Sequence, residues 1–153
     1  MKKQKLLIGV IGGHNCSRKT AKLARELGKE IAQLGAILVC GGLGGIMEAV
    51  AKGAKQNGGV TVGILPGEDR RGANKFIDIP IATGLGYTRN TLVTTASDII
   101  IALEGRYGTL SEIGFALNAK KPVIGLGSWD IEGVIKVQSV KKATEILKEI
   151  IKQ

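Results

Sequence analysis

The chain has 153 residues, enough for one domain with a buried core, and its 44% hydrophobic and 23% charged residues are typical of a globular protein. Only 3% of the residues are aromatic, which argues against a stacking platform for single-stranded nucleic acid. The net charge is +9, from 22 Lys and Arg against 13 Asp and Glu, and it favours anionic partners such as phosphates.

Apolar runs alternate with amphipathic segments along the chain, which is typical of a sheet whose strands are joined by helices. Strands are predicted at 5–12, 36–40, 60–65, about 76–81, 98–103 and 123–126. Helices are predicted after Ser17, after 41–45, from about Thr88, after 105–108 and at about 140–151. The polar, charged stretch 67–75 is predicted to be a mobile loop.

The predicted strands lack polar alternation, so helices are expected to cover both faces of the sheet, as they do in parallel sheets. No linker, repeat or low-complexity segment divides the chain. We therefore predict a single Rossmann-like domain over 1–153, an α/β doubly wound sheet that is mostly parallel with helices on both faces. Ligands of such folds bind outside the carboxyl ends of the strands, near the switch in strand order.

A glycine-rich loop follows the strand at 98–103 and leads into a helix; it comprises Gly105, Arg106, Tyr107, Gly108 and Thr109. The first N–H groups of a helix have no partner within it and lie at the positive end of its dipole, so a phosphate can bind there. Glycine lets the backbone approach the ligand, the Thr109 hydroxyl adds a donor, and Arg106 and Tyr107 are candidates for further contacts. A plain structural turn is the alternative for this loop taken alone.

Further glycines follow the first two predicted strands, at the same edge of the sheet. The candidate nucleotide-binding residues there are Gly13, Gly41, Gly42, Gly44, Gly45 and Met47. The glycine cluster at 41–45 lacks the Lys-Ser/Thr pair of a P-loop and the third glycine of the dinucleotide fingerprint. Tight packing of the helix on its strand is the alternative explanation of these glycines.

Arg89 and Glu112 are the candidate catalytic residues. Arg89 begins a predicted helix among Thr, Asn and small apolar residues, and its planar guanidinium suits a phosphate or a carboxylate. Glu112 lies about one helical turn beyond the glycine loop, so its carboxylate is expected to lie beside a ligand bound there. A solvated surface glutamate is the alternative for Glu112 alone.

Three segments together resemble the lonely guy family, long mislabelled as lysine decarboxylases: CGGLGGIMEAVAKGA at 40–54, GYTRNTLVTTASDIIIAL at 86–103 and EGRYGTLSE at 104–112. The family's signature is Pro-Gly-Gly-x-Gly-Thr-x-x-Glu, preceded by an Arg-Lys helix. Its residues are matched by Gly105, Gly108, Thr109, Glu112 and Arg89. The resemblance covers most of the chain.

The resemblance implies a Rossmann fold. For members similar to the plant and bacterial enzymes it also implies cleavage of the N-glycosidic bond of cytokinin riboside 5′-monophosphates, which releases the free base and ribose 5-phosphate. It places a phosphate on the Gly105–Thr109 loop and makes Arg89 and Glu112 the catalytic pair. Breaking the bond creates oxocarbenium-like positive charge on the ribose, which a nearby carboxylate stabilises.

The sequence departs from the family's pattern at three positions. Glu104 replaces the proline, Arg106 replaces the second glycine, and Asn90 replaces the lysine. The Arg-Asn version resembles a short branch that includes molybdenum-cofactor carrier proteins, which bind a phosphorylated pterin without hydrolysing it. Asn90 is therefore a candidate ligand-binding residue, and Arg106 either contacts the phosphate or narrows the pocket.

Three functional hypotheses follow. The first is a nucleoside 5′-monophosphate phosphoribohydrolase that acts on AMP or modified-adenine nucleotides and requires no cofactor. The second is a non-catalytic carrier or sensor of a phosphorylated cofactor such as molybdopterin. The third and weakest hypothesis is a nucleic-acid-associated protein. The basic charge supports it, although the chain has no helix-turn-helix, zinc-finger or RNA-binding signature.

The expected partners are a small phosphorylated molecule and a second copy of the chain. Small proteins similar to the family pair through helices that flank the site, and the helix from about Thr88 is a candidate because it carries Leu92, Val93 and Ala96. A nucleic acid or a membrane is not an expected partner.

The cysteines and the single histidine bear on compartment and metal binding. Cys16 and Cys40 lack CxxC spacing and are predicted to be reduced thiols of a cytoplasmic protein. His14, next to a glycine pair, is a candidate pocket residue but cannot assemble a His-rich metal site, so we expect no metal. The apolar run at 6–11 is too short to span a membrane.

Overall fold

The computed structural model describes residues 3–153 and contains one sheet flanked by five α-helices. The strands are β1 Leu7–Ile11, β2 Ile37–Cys40, β3 Val60–Leu65, β4 Ile79–Ala82, β5 Ile99–Ala102, β6 Val123–Leu126 and β7 Val134–Val137. The α-helices are α1 Arg18–Gln33, α2 Ile46–Gln56, α3 Arg89–Ala96, α4 Tyr107–Asn118 and α5 Val140–Lys152. Within the described range, no helix is long and apolar enough to cross a membrane.

All neighbouring strands of the sheet run parallel, in the order β4-β3-β2-β1-β5-β6-β7. The chain moves outward from β1 to β4 on one side and then adds β5, β6 and β7 on the other. The order therefore reverses between β1 and β5, which is the switch point where such sheets bind ligands. The predicted Rossmann-like doubly wound fold is confirmed.

Helices cover both faces of the sheet, which explains the continuous apolar runs of its central strands. The helices α1, α2 and α5 pack on one face, and α3 and α4 pack on the other. Helices α1 and α2 approach closely at two glycines. A Cβ on Gly28 would lie 2.1 Å from the Val50 oxygen, and a Cβ on Gly53 would lie 2.0 Å from the Arg25 oxygen.

The strand β7 is absent from the strands predicted from the sequence. It lies at the edge of the sheet, where Ile135 and Lys136 are exposed and only Val137 is buried. A strand with one solvated face has no continuous apolar run. The search for such runs, which predicted the central strands, therefore misses β7.

The region between β3 and β4 also differs from the prediction. The strand β4 begins at Ile79, later than the predicted 76. At Asp78 only the N–H makes a backbone hydrogen bond to β3, to the Thr61 carbonyl at 3.1 Å, because the Thr61 N–H donates to the Asp78 carboxylate instead, also at 3.1 Å. The predicted loop at 67–75 contains a 3₁₀ turn at Arg70–Gly72, and a second such turn at Gly86–Thr88 precedes α3.

Lys121 holds the end of α3. Its Nζ donates hydrogen bonds to the carbonyl oxygens of Thr94, Thr95 and Ser97 at 2.7, 2.7 and 2.6 Å. The last carbonyls of a helix have no partner within it, and a cation there is also favoured by the helix dipole. Because Arg89 begins α3, this interaction secures the helix that carries a candidate site residue.

Replacement of Lys121 by Met keeps the aliphatic stem and removes the three donors. We expect the free energy of unfolding to fall by about 1–3 kcal/mol, the usual effect of removing a charged hydrogen-bonding group. Urea unfolding followed by circular dichroism measures the change, with the exposed Lys148 replaced by Met as the control. Equal stability of the two variants would contradict the capping role.

Candidate functional site

The loops after β1 and β5 meet at the switch point. The Gly13 N–H donates to the Glu104 carbonyl at 2.9 Å, and the Ile46 N–H donates to the Gly13 carbonyl at 3.1 Å. The approach requires glycine at Gly105, since a Cβ there would lie 2.0 Å from the Thr109 hydroxyl oxygen and 3.1 Å from the Gly13 nitrogen. The glycines after β1 and the Gly105–Thr109 loop after β5 therefore lie in contact with each other.

The helix α4 begins directly after this contact. It starts at Tyr107, and Arg106 before it makes no capping hydrogen bond with its side chain. The N–H groups of the first turn therefore remain available at the positive end of the helix dipole. Thr109 is buried below them, whereas Arg106 and Tyr107 are exposed. The arrangement is compatible with an anion at the start of α4, and the phosphate site stays a prediction.

Trp129, on the loop between β6 and β7, orients the glycine loop and was not predicted from the sequence. Its indole N–H donates to the carbonyl oxygens of Gly105 and Arg106 at 3.1 and 3.3 Å. In a trans peptide the N–H points away from the preceding C=O, so the N–H groups of Arg106 and Tyr107 point away from the indole. Trp129 thus directs two amides toward one side of the loop.

Arg89 lies buried between α3 and the loop after β2, with 8% of its surface exposed. Its Nη2 donates to the Gly41 carbonyl at 3.4 Å, and its Nη1 donates to the Asn90 side-chain oxygen. Gly41 makes room for it, because a Cβ there would lie 2.7 Å from Nη2 and 2.6 Å from the Met47 sulfur. The Nε of Arg89 is buried and has no hydrogen-bond partner within residues 3–153.

Glu112 projects from α4 into the same region and is 7% exposed, so it is not a solvated surface residue. Burial raises the pKa of Glu112 to about 8, and the charge of Arg89 opposes this only in part. Burial also lowers the pKa of Arg89, while Glu112 raises it. Within the described chain the two residues form no direct ion pair. At pH 7 the pocket therefore contains a cation and a largely protonated carboxyl.

Asn90 and Cys40 complete the polar cluster. Asn90 is 4% exposed, and its amide nitrogen lies 3.5 Å from the position of a Cβ on Gly108, so it reaches the glycine loop. Burial raises the pKa of the Cys40 thiol to about 11, with smaller opposing effects from the Gly42 backbone and Arg89. A protonated, buried thiol is unreactive near neutral pH. Cys16 is also a free thiol.

The remaining predicted glycines shape the turn before α2. Gly42 and Gly45 have φ of 78° and 65°, a conformation that glycine adopts at little cost. A Cβ on Gly45 would lie 2.1 Å from the His14 carbonyl oxygen, whereas a Cβ on Gly44 would lie 3.5 Å from the His14 ring. These glycines pack the loops together, and the polar groups of the pocket come from α3 and α4. No group of metal-ligating side chains occurs in the part of the chain that the structure describes.

Comparison with known proteins identifies the family. A model of the SLOG cluster4 family matches residues 5–152. The chain belongs to this family. This confirms the resemblance inferred from the sequence motifs. Two solved structures and one enzyme show the same relationship over longer stretches of sequence.

Two solved structures match nearly the whole chain. The molybdenum cofactor binding protein of Rippkaea orientalis is 37% identical, with a TM-score of 0.91 over 97% of this chain and 98% of that one. The molybdenum cofactor carrier protein of Chlamydomonas reinhardtii is 36% identical, with a TM-score of 0.90 over 98% of this chain and 100% of that one.

A cytokinin riboside 5′-monophosphate phosphoribohydrolase of Mycobacterium tuberculosis is 36% identical over 118 residues. The match covers 71% of this chain and 63% of that protein, so less than two thirds of the enzyme is represented. Both branches named by the sequence resemblance thus occur among the relatives.

The raised pKa of Glu112 predicts a pH-dependent stability. The carboxyl has its usual pKa of 4.5 in the unfolded chain and about 8 in the folded chain, so folding takes up a proton between these values. The contribution of Glu112 is therefore greatest below pH 4.5 and declines as the pH rises toward 8. We expect the free energy of unfolding of the wild type to fall across this window more steeply than that of Glu112→Gln. Urea unfolding from about pH 5 to 8 measures both slopes, and equal slopes would contradict the shifted pKa.

Proposed function

We propose that the chain binds a phosphorylated heterocyclic molecule at the switch point and carries it without hydrolysis, with a molybdopterin-type pterin phosphate as the preferred ligand. The observation that carries this proposal is the combination of an open glycine loop for the phosphate with a buried carboxyl that stays protonated at neutral pH. The glycine loop is argued to bind the phosphate of the ligand, and the buried carboxyl is argued to bind its ring.

The phosphate is assigned to the start of α4. The N–H groups of Arg106 and Tyr107, oriented by Trp129, converge with the positive end of the helix dipole, and the Thr109 hydroxyl lies within the same turn. Arg89 contributes positive charge from the side, and its unpartnered Nε–H would be satisfied by an acceptor of the ligand.

The ring of the ligand is assigned to Glu112 and Asn90. A protonated carboxyl and a carboxamide can each donate and accept a hydrogen bond. Pterins and purines carry donors and acceptors along the same edge, so two such groups complement them without an added charge. Both side chains are buried beside the glycine loop, where a hydrogen bond missing from the wrong ligand would be costly.

The same protonation favours a carrier over a hydrolase. An oxocarbenium-like transition state is stabilised by an ionised carboxylate, whereas burial raises the pKa of Glu112 to about 8 and so favours its protonated form at pH 7. The two molybdenum-cofactor proteins described above match 97–98% of the chain, whereas the phosphoribohydrolase matches 71% of it. Both facts support binding without turnover.

Hydrolysis of nucleoside 5′-monophosphates is the second candidate, because Arg89 and Glu112 are both present and lie in one pocket. A ligand that brings its own positive charge near Glu112 would lower the pKa of the carboxyl and restore the charge that catalysis needs. In that case kcat/KM would rise with pH up to about 8, the pKa of Glu112 in the free protein, whereas kcat would level off at a lower pH because the bound ligand lowers that pKa.

The same carrier is proposed to pair with a second copy through α3 and α4. Leu92 and Phe115 are 37% and 46% exposed on these helices, so both side chains are available for a contact with a second copy. Val93, expected from the sequence to lie on the shared surface, is fully buried in the core instead, because it packs against the sheet.

Titration with AMP and with a phosphorylated pterin, combined with chromatography for free base, separates the two functions. For a carrier we expect tighter binding of the pterin phosphate, no base release from AMP, and retained binding by Glu112→Gln, which keeps the size and a donor. For a hydrolase the same substitution would lower the rate of base release by about 100-fold or more. Base release by the wild type that Glu112→Gln lacks would contradict the carrier proposal.

Trp129→Phe tests the orientation of the glycine loop. It removes the indole N–H and keeps an aromatic ring, so we expect the affinity for AMP to fall by about 2- to 10-fold, the effect of one hydrogen bond. Isothermal titration calorimetry gives the affinity. The control is Ile151→Leu, which changes an exposed apolar residue on α5, on the other face of the sheet from α4. A loss of affinity as large in the control as in Trp129→Phe would show that Trp129 has no special role.

A further inference from the structure

A long groove of about 870 Å³ runs along the outer side of α1 and α2, apart from the pocket described above. Gly53, where α2 approaches the backbone of α1 closely, lies in its lining. Small or half-buried apolar residues line part of the groove, namely Ala21, Ala49 and Phe76. The groove therefore offers an apolar floor that no other part of the described chain covers.

The walls of the groove are cationic. One wall is a stripe on a single face of α1, with spacings of four, three and four residues: Arg18, Lys22, Arg25 and Lys29. The other wall carries Lys52 and Lys75, whose Nζ atoms lie 5.8 and 5.3 Å from the centre of the Phe76 ring. The carboxylates that also line the groove are Glu26 and Glu48.

These cations are not neutralised by the fold. Within residues 3–153, all four ion pairs lie elsewhere and none involves the six cations of the groove. Like charges at this spacing along a helix repel one another, and the single carboxylate of Glu26, four residues after Lys22, offsets the repulsion only in part. Much of the net charge of +9 is thereby concentrated beside an apolar floor. An anionic partner would relieve the repulsion and cover the floor at once.

We propose that the groove docks an acidic, amphipathic helix of a partner protein. The four cations of α1 extend over about 16 Å at 1.5 Å per residue, which is too long for a single small anion. A helix lying between two others presents apolar residues to the floor and Asp or Glu to both walls.

A nucleic-acid strand fits the groove less well. Strand binding relies on several exposed aromatic rings, whereas the groove has Phe76 alone, and two lysines already cover it. The apolar floor also has no counterpart in a phosphate backbone. The two ligand classes are therefore distinguishable by experiment.

The groove ends close to the ligand pocket. Its lining includes Cys16 and Gly45, and Gly45 contacts the His14 carbonyl in the loop after β1. A protein docked in the groove would thus lie next to the edge of the sheet where the pocket opens. The inference does not depend on the proposed function, because it rests on charges and shape outside that pocket.

The probe is a fluorescein-labelled acidic amphipathic peptide of about 12 residues, long enough to span the cationic stripe. Anisotropy titration is performed on the wild type, on the triple variant Lys22→Gln, Arg25→Gln, Lys29→Gln, and on the matched control Lys141→Gln, Lys148→Gln, Lys152→Gln. Both variants lose three positive charges, and the control positions are exposed on α5. Circular dichroism and thermal unfolding verify that each is folded.

We expect the groove variant to bind the peptide at least about tenfold more weakly and the control to change by less than about threefold, since each exposed ion pair contributes modestly. Equal losses in both variants, or no binding of the peptide by the wild type below about 1 mM, would overturn the proposal. Tighter groove-dependent binding of oligo-dT or inorganic polyphosphate would assign the groove to another ligand class. A change in oligomeric mass confined to the groove variant would assign it to a second copy of the chain.

Discussion

The hydrogen bond from Gly13 to the Glu104 carbonyl joins the loops after β1 and β5, and the candidate site depends on that junction. It brings the start of α4 to the switch point of the sheet, the place where sheets of this kind bind ligands. Glu104, which stands where the lonely guy signature has proline, reinforces the junction through its side chain. Its carboxylate accepts the Thr20 hydroxyl at 3.0 Å and so ties the loop to the first turn of α1. This departure from the signature therefore has a structural role that proline lacks.

The pocket beside this junction is polar and buried, which is unfavourable for the empty protein. Arg89, Asn90, Thr109 and Glu112 are all at most 8% exposed, and one guanidinium N–H has no partner in the described chain. Buried polar groups are normally hydrogen-bonded, so the Arg89 Nε–H without a partner is the exception, and the proposed ligand would satisfy it. Stability is instead supplied by the apolar layers on both faces of the sheet and by contacts such as that of Lys121.

The sequence predicts the buried centre of this fold well and its edges poorly. The strands β1, β2, β3, β5 and β6 follow from apolar runs, because burial on both faces leaves no polar alternation. Arg89 and Glu112 were placed in one site by their motifs. Trp129 was not, because its contact with the glycine loop joins residues 24 apart that only β6 brings together. The pKa of Glu112 could not be predicted either, since it depends on burial by tertiary packing.

Asn90 links the pKa of Glu112 to the choice between carrier and hydrolase. A lysine at this position, as in the lonely guy pattern, would add a second cation near the buried carboxyl and lower its pKa. Asn90 adds no charge, and its side-chain oxygen accepts a hydrogen bond from Arg89, which draws the guanidinium toward α3. Both effects leave burial as the dominant influence on Glu112 and keep it protonated near neutral pH. On the proposed carrier function, asparagine at this position therefore favours recognition of a neutral ring over stabilisation of developing positive charge.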